Sequence, residues 1–425
     1  MPILHDTFTP SELRKLPVSE LPNVAREIRH AITHQISQSG GHLAPNLGVV
    51  ELTIALHYVF DFLHDRLVFD VGHQCYPHKL LTGRLGLLGK LRTREGMAGF
   101  PEPAESPYDL FRVGHAGTAI STAVGLARGD FLNGESYVPG VRDAGRRVVS
   151  LIGDASIVNG VAMEGLNNAG TLKRQFLVIL NDNGMSISKP QGAVSQYFDR
   201  LRLSHRYGDF KKSARKILEN VPGGDSIIGA YHRVGEMTKA MVNESGGASG
   251  GWFEHFGLLS VGPIDGHDLP QLIEFLGEAR DIDRPIVLHV KTVKGKGYEF
   301  AERDSSRFHS PGAFQVLSQD DPETERACEP SPLPPGLESQ GCRVEIKSEG
   351  RSFTTAFGEA MVELMQRDPK VVACTAAMPD GTGINKLLPR FPERTWDVGI
   401  CESHAFDMMA GLAKTGFKPF LAVYS

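Results

Sequence analysis

No stretch of the 425 residues approaches the roughly 18 unbroken apolar residues of a membrane helix. The start, MPILHDTFTPSELRKLP, has no basic region followed by an apolar one, so no secretory signal is expected. Cysteine is scarce. The five, at 75, 328, 342, 374 and 401, are odd in number and scattered. None forms a C-x-x-C pair or sits in metal-ligand spacing, which excludes a disulfide framework and a cysteine-built metal site. A reduced, cytoplasmic protein is expected. Excess charge of either sign is also missing. The balance of 45 Lys+Arg against 50 Asp+Glu leaves a net charge of −5, and so no global field for nucleic acid. A local basic pocket for a phosphorylated small molecule remains compatible with it. What is present is an ordinary globular mixture, 41 % hydrophobic and 22 % charged, which excludes disorder over most of the chain. The length suits about two to four domains.

Short apolar runs at 67–71, 147–153, 176–180 and 286–290 read as buried strands. Helical stretches such as 117–130 and 158–170 separate them. That alternation predicts an α/β fold, a parallel sheet with helices on both faces, which binds ligands at the carboxyl ends of its strands. Ahead of the first strand, Thr9-Pro10-Ser11-Glu12 is a capping box with proline at the first helical position. Helices are expected over 20–38 and 48–62. Residues 184–251 are polar, carry Lys211-Lys212 and Arg215-Lys216, and end in a glycine-rich run, so a mobile insertion is expected there. The stretch 319–350, rich in Pro, Glu, Ser and Gly, reads as a linker between domains. Beyond it, helix, strand, strand, helix and strand patterns over 351–425 read as the start of a second α/β domain, following a first of residues 1–318.

The sharpest chemical signal is Gly153-Asp154-Ala155 at the end of one strand and Asn181-Asp182-Asn183 at the end of the next. Adjacent parallel strands would set Asp154 and Asn183 side by side. A carboxylate and a carboxamide are hard oxygen ligands for Mg²⁺, which keeps diphosphate oxygens as further ligands. Strand-ending Asp and Asn are equally ordinary turn residues.

This pattern resembles the Gly-Asp-Gly…Asn motif of thiamine diphosphate enzymes. The blocks SGGHLAPNLGVVEL (39–52), DVGHQCYPHKLLTGR (70–84), GFPEPAESPYD (99–109), VGHAGTAIS (113–121), LNDNGMSIS (180–188), GPIDGHD (262–268), KGKGY (294–298) and DVGICESHA (397–405) occur in order. Together they resemble the 1-deoxy-D-xylulose-5-phosphate synthase family, relatives of transketolase, over residues 8–425. The resemblance implies a homodimer using thiamine diphosphate and Mg²⁺. It implies condensation of pyruvate with glyceraldehyde 3-phosphate, with loss of CO₂, to a precursor of isoprenoids, thiamine and pyridoxal.

It also implies roles for single residues. Glu402 hydrogen-bonds the aminopyrimidine, and His42 assists proton transfer at the reacting carbon. His309 is an active-site histidine. His73, Gly114, His115, Ala116, Ala155, Ser156 and Tyr298 line the cofactor site. Asp154 and Asn183 hold the metal with the Met185 backbone carbonyl, and Tyr424 lies near the substrate. Lys294 and Lys296 attract phosphate or form a solvated charge run. His78 and His267 belong to family motifs without an assigned role.

Three departures stand out. Gly114-His115-Ala116 replaces Gly-His-Ser. Ala155 replaces the last glycine of Gly-Asp-Gly, a cost of about 1–2 kcal/mol if that position needs positive φ. The family also continues past residue 425, into the aromatic that stacks on the pyrimidine and the arginines that grip the aldehyde phosphate. A fragment of a synthase, half of an enzyme completed by a separate chain, an inactive paralogue that binds a partner subunit, and a thiamine enzyme using another aldehyde all fit the sequence.

Overall fold

The computed structural model describes residues 2–139, 141, 145–184, 193–194, 252–318, 342–346 and 352–424. Met185, nearly all of the expected insertion and most of the expected linker lie outside the described residues.

The first unit is built on five parallel strands, β1 (Arg66–Phe69), β2 (Val148–Gly153), β3 (Phe176–Asp182), β4 (Leu259–Asp265) and β5 (Pro285–Lys291). Their order is β1-β2-β3-β5-β4. Successive side chains of a strand point to opposite faces, and here both faces are covered. Leu67, Leu151, Leu177, Ile179 and Leu288 belong to one apolar cluster, which includes residues of helices Leu21–Ser39, Val50–Val59 and Leu269–Arg280. Val68, Ile152, Val178, Leu180 and Val287 belong to another, with residues of helices Ala119–Leu132 and Gly160–Ala169. Burial on both faces is why these strands are continuous apolar runs. β4 has no such run. It is an edge strand, carries Gly262-Pro263 and slips register between Val261 and Ile264. Glycine and proline are tolerated at such edges and bulges.

Strands β6 (Phe314–Ser318) and β7 (Cys342–Ile346) pair antiparallel, so β7 lies within the stretch expected to be linker. The second unit has three parallel strands, β8 (Val371–Thr375), β9 (Thr395–Asp397) and β10 (Lys418–Ala422), in the order β10-β8-β9. Helix Phe353–Arg367 supplies Met361, Val362 and Met365 to one apolar cluster of this unit. Helix Glu402–Lys414 supplies Ala405 and Met409 to another.

Between β1 and helix Ala119–Leu132 the chain makes a long excursion held by buried charge. The Asp70 carboxylate accepts from the amides of Gly117 (3.0 Å) and Ala119 (3.2 Å), tying the start of that helix to the tip of β1. The next residue, Val71, has φ 59°, and Gly72 has φ 83°. A Cβ on Gly72 would meet Val113 at 2.4 Å and Pro101 at 2.7 Å, so only glycine fits.

Further along, Asp109 accepts from Arg84 through both oxygens (2.6 and 3.0 Å), from the Glu102 amide (2.7 Å) and from His78 Nε2 (2.8 Å). Because His78 Nε2 donates, its Nδ1 accepts from His57 Nε2 at 2.9 Å. Beside them, Lys79 pairs with Glu105 at 2.6 Å. This network gives His78 a place in the fold: it joins helix Val50–Val59 to the 97–109 segment.

Candidate active site

The carboxyl ends of β2, β3 and β5 are neighbours, since Gly153 pairs with Asn181 and Asn181 with Val290. The Asp154 amide donates to the Asn181 carbonyl at 3.1 Å, which sets Asp154 and the Asn183 turn on one rim. The buried Asp154 carboxylate accepts from the Gly184 amide at 3.1 Å. Asp182 accepts from the same amide at 3.1 Å and from His289 Nε2 at 2.8 Å. The rim thus has a hydrogen-bonded base.

Ala155 is buried, and its backbone lies outside the positive-φ region. Among the described residues, non-glycine positive φ occurs at Val71, Arg92 and Ala377. The methyl therefore carries no left-handed strain. Ala155→Gly is expected to change affinity for the thiamine diphosphate that the sequence resemblance implies by less than about threefold, and to lower stability by about 0.4–1 kcal/mol through unfolded-state entropy. Calorimetric titration and thermal unfolding check this; tenfold tighter binding would contradict it. Ser156 is buried as well.

Three imidazoles gather nearby. Ring centroids are 5.3 Å apart for His42 and His73, 5.9 Å for His42 and His309, and 5.2 Å for His73 and His309. Phe100 and Tyr76 flank His42 at 5.7 and 6.4 Å. Asn46, wholly buried, organises the group. Its Nδ2 donates to the carbonyls of His42 (2.7 Å) and His73 (2.8 Å), and its Oδ1 accepts from the Tyr76 amide (2.8 Å). Backbone bonds from Gly41 to Pro311 (3.1 Å) and from Ala44 to Phe308 (2.9 Å) fasten the His309 segment to the His42 segment. Sequence reasoning missed Asn46, although it lies inside the SGGHLAPNLGVVEL block.

Burial, with Arg92's charge second, pushes the His42 pKa down to about 4. Burial also holds His73 and His309 well below the ordinary value, helped by neighbouring positive charge. All three are neutral at pH 7. The Nδ1 atoms of His73 and His309 are buried without a hydrogen-bond partner among the described residues. Lys294 is 6 % exposed, and burial lowers its pKa to about 8 against the opposing charge of Asp154. Its charge is felt at His73 and His309.

These imidazoles fix a pH dependence. Below about pH 6.5 the unfolded chain binds protons that the folded chain refuses. Stability is therefore complete above that pH and falls as pH drops, by up to about 1.4 kcal/mol per pH unit for each such group. The unfolding temperature is expected to be nearly constant from about pH 8 to 7 and to fall steeply between about pH 6 and 5. A constant value down to pH 5 would contradict neutral buried imidazoles.

The other expected site residues are more dispersed. Gly114 and His115 are exposed and Ala116 half-buried, on the loop before helix Ala119–Leu132. Gly114, His115, Arg112 and Thr118 line a cavity of about 450 Å³. Tyr298 is buried with its ring beside Phe300, in the aromatic cluster of Phe308 and Phe314. Glu402 opens helix Glu402–Lys414. Immediately before it, Ile400 accepts from Asn159 Nδ2 at 3.3 Å and the Cys401 thiol donates to the Val158 carbonyl at 3.9 Å. Those bonds bring the second unit onto the turn after Ala155. Tyr424 packs its ring on Gly381 and is 52 % exposed.

Residues 4–292 match the family described as 1-deoxy-D-xylulose-5-phosphate synthase, and residues 349–425 match the transketolase pyrimidine-binding domain. The chain belongs to the 1-deoxy-D-xylulose-5-phosphate synthase family. It is 42 % identical over 425 residues to the synthase of Carboxydothermus hydrogenoformans, covering 100 % of this chain and 62 % of that protein. The synthase of Clostridium tetani is 41 % identical over 415 residues, with 97 % and 61 % covered. Synthase 1 of Geobacter sulfurreducens is 42 % identical over 427 residues, with 100 % and 61 % covered. The chain thus spans about three fifths of the length of these relatives. A solved transketolase from Campylobacter jejuni aligns at 18 % identity and TM-score 0.48, over 96 % of this chain and 65 % of that one. Membership in the synthase family accords with the parallel sheet covered on both faces and the second α/β unit. No helix among the described residues is long and apolar enough to cross a membrane.

Proposed function

We propose that this chain is the thiamine diphosphate- and Mg²⁺-binding part of a 1-deoxy-D-xylulose-5-phosphate synthase, condensing pyruvate with glyceraldehyde 3-phosphate with loss of CO₂. The observation that carries the reading is the neutral cluster of His42, His73 and His309, with two unpartnered Nδ1 atoms.

The donors suit the cofactor. Among the described residues no three His, Cys, Asp or Glu side chains gather as a metal site. Two oxygen donors, Asp154 and Asn183, suffice for Mg²⁺ only when diphosphate oxygens and the Met185 carbonyl complete the shell. When bound, the cofactor would supply the nucleophilic carbon and the electron sink that decarboxylation of a 2-keto acid needs.

The chain's own residues bind, orient and move protons. Asp154 and Asn183 hold the metal, and Glu402 holds the pyrimidine end. His42 and His309, neutral at pH 7, accept a proton at a ring nitrogen. Lys294 attracts the anionic substrate, while Tyr76 and Phe100 keep water from His42. Gly114, His115, Ala116, Ala155, Ser156 and Tyr298 line the cofactor, and Tyr424 faces the substrate. The active form is a homodimer in the cytoplasm, with residues 1–318 binding diphosphate and 351–425 beginning the pyrimidine domain. Calorimetric titration of the chain with thiamine diphosphate, with and without Mg²⁺, tests this. Micromolar, Mg²⁺-dependent binding is expected; no binding at millimolar cofactor by a folded chain overturns it.

A further inference from the structure

His267, Glu51 and Arg29 come from separate elements and meet in the interior. Arg29 lies on helix Leu21–Ser39, Glu51 on helix Val50–Val59 and His267 just before helix Leu269–Arg280. Arg29 donates to both Glu51 oxygens, at 2.5 and 2.6 Å. His267 Nδ1 lies 2.9 Å from Glu51 Oε2, and its Nε2 accepts from the Val293 amide at 2.8 Å. An amide can only donate, so Nε2 is bare and the ring proton sits on Nδ1, facing the carboxylate. Burial alone would raise the Glu51 pKa, but the charge of Arg29 and the bond from His267 outweigh it, and the carboxyl stays ionised.

The far side of the triad grips a turn. Arg29 Nε donates to the Lys296 carbonyl at 2.9 Å, three residues from the amide held by His267. The Lys296 amide donates to the Val293 carbonyl at 3.2 Å, and the Gly295 amide to the Ala44 carbonyl at 2.9 Å. Both ends of the 293–296 turn are therefore fixed by side chains, one end by the buried Arg29 and the other by the half-buried His267. Between them stands Lys294.

We propose that His267, Glu51 and Arg29 are positioning residues that clamp the 293–296 turn and thereby present Lys294 beside Asp154, His73 and His309. The task of Lys294 at that site rests on the function proposed above; the clamp does not. Side chains that met only for packing would not converge on the two ends of one turn. The burial of Lys294, 6 % exposed, follows from its being held inward.

The test uses the full chain and readouts independent of turnover. His267→Asn keeps a group at the Nδ1 position for Glu51 but cannot reach the Val293 amide. His267→Gln places an oxygen at the Nε2 position and can. Hydrogen exchange of the Val293 amide is read by mass spectrometry, along with the rate of acetylation of Lys294 by acetic anhydride at a single pH. H267N is expected to speed Val293 exchange at least about tenfold, as the turn opens locally, and to speed acetylation of the buried Lys294 severalfold. H267Q is expected to stay near the parent in both. A folded H267N that matches the parent, or an H267Q as disturbed as H267N, overturns the proposal. If H267N does not fold, Glu51→Gln replaces it: the charge that fixes Arg29 and His267 is lost, and the same two increases in rate are expected. Their absence in folded E51Q overturns the proposal equally.

Discussion

Asp154→Ala is expected to weaken Mg²⁺-dependent binding of thiamine diphosphate by at least about 100-fold, or ~2.8 kcal/mol. The argument begins with the rim. Asp154 stands at the end of β2, its amide bonded to Asn181 and its buried carboxylate to the Gly184 amide. It supplies the only full negative charge among the three proposed metal ligands. Without it, Asn183 and the Met185 carbonyl offer two neutral oxygens, and the diphosphate must neutralise the ion alone. Side chains that merely orient a metal's ligands cost about 10–100-fold when mutated, so loss of a charged ligand belongs beyond that range. Titration at saturating Mg²⁺ decides it. Affinity within about threefold of the parent would remove Asp154 from the metal site.

Asp109→Ala is expected to lower stability by about 3–5 kcal/mol, the usual cost of removing one partner from a buried ion pair. The unfolding temperature would fall by on the order of 10 °C. The side chain is fully buried and takes hydrogen bonds from Arg84, His78 and the Glu102 amide. Burial would raise its pKa, but the bonds from His78 and Arg84 outweigh burial and hold it below the ordinary value. A lowered carboxylate pKa contributes stability above the unfolded value of about 4 and loses it on acidification, so the full contribution is present at neutral pH. The alanine variant leaves the Arg84 charge buried and His78 Nε2 without an acceptor. Urea and thermal unfolding at pH 7 measure the loss. A change under about 1 kcal/mol would show that water reaches the cluster and solvates Arg84 in place of the carboxylate.

Strands β2, β3 and β5 were legible in the sequence because a strand buried on both faces is apolar along most of its length. β4 was not, since an edge strand with Gly262-Pro263 shows neither an apolar run nor strict alternation. β7 was hidden by its Pro- and Glu-rich surroundings. At the candidate site, His42 and His73 were picked out through sequence blocks and His309 through its place in the family pattern; Asn46 and the backbone bonds of the 308–311 segment explain their meeting. The partners of His78 and His267 were not legible. Asp109 and Glu51 lie 31 and 216 residues from them, and no local pattern encodes such pairings. Ala155 was a question that only its backbone angle answered.

Val71 has a consequence for anyone engineering heat resistance into this chain. A β-branched residue at φ 59° stores about 1–3 kcal/mol of strain, two positions ahead of His73. Glycine there would relieve it, and a search guided by melting temperature alone would accept that exchange. It would also loosen the turn that delivers His73 to its neighbours. Selection for hardiness and selection for turnover should therefore pull this one position in opposite directions.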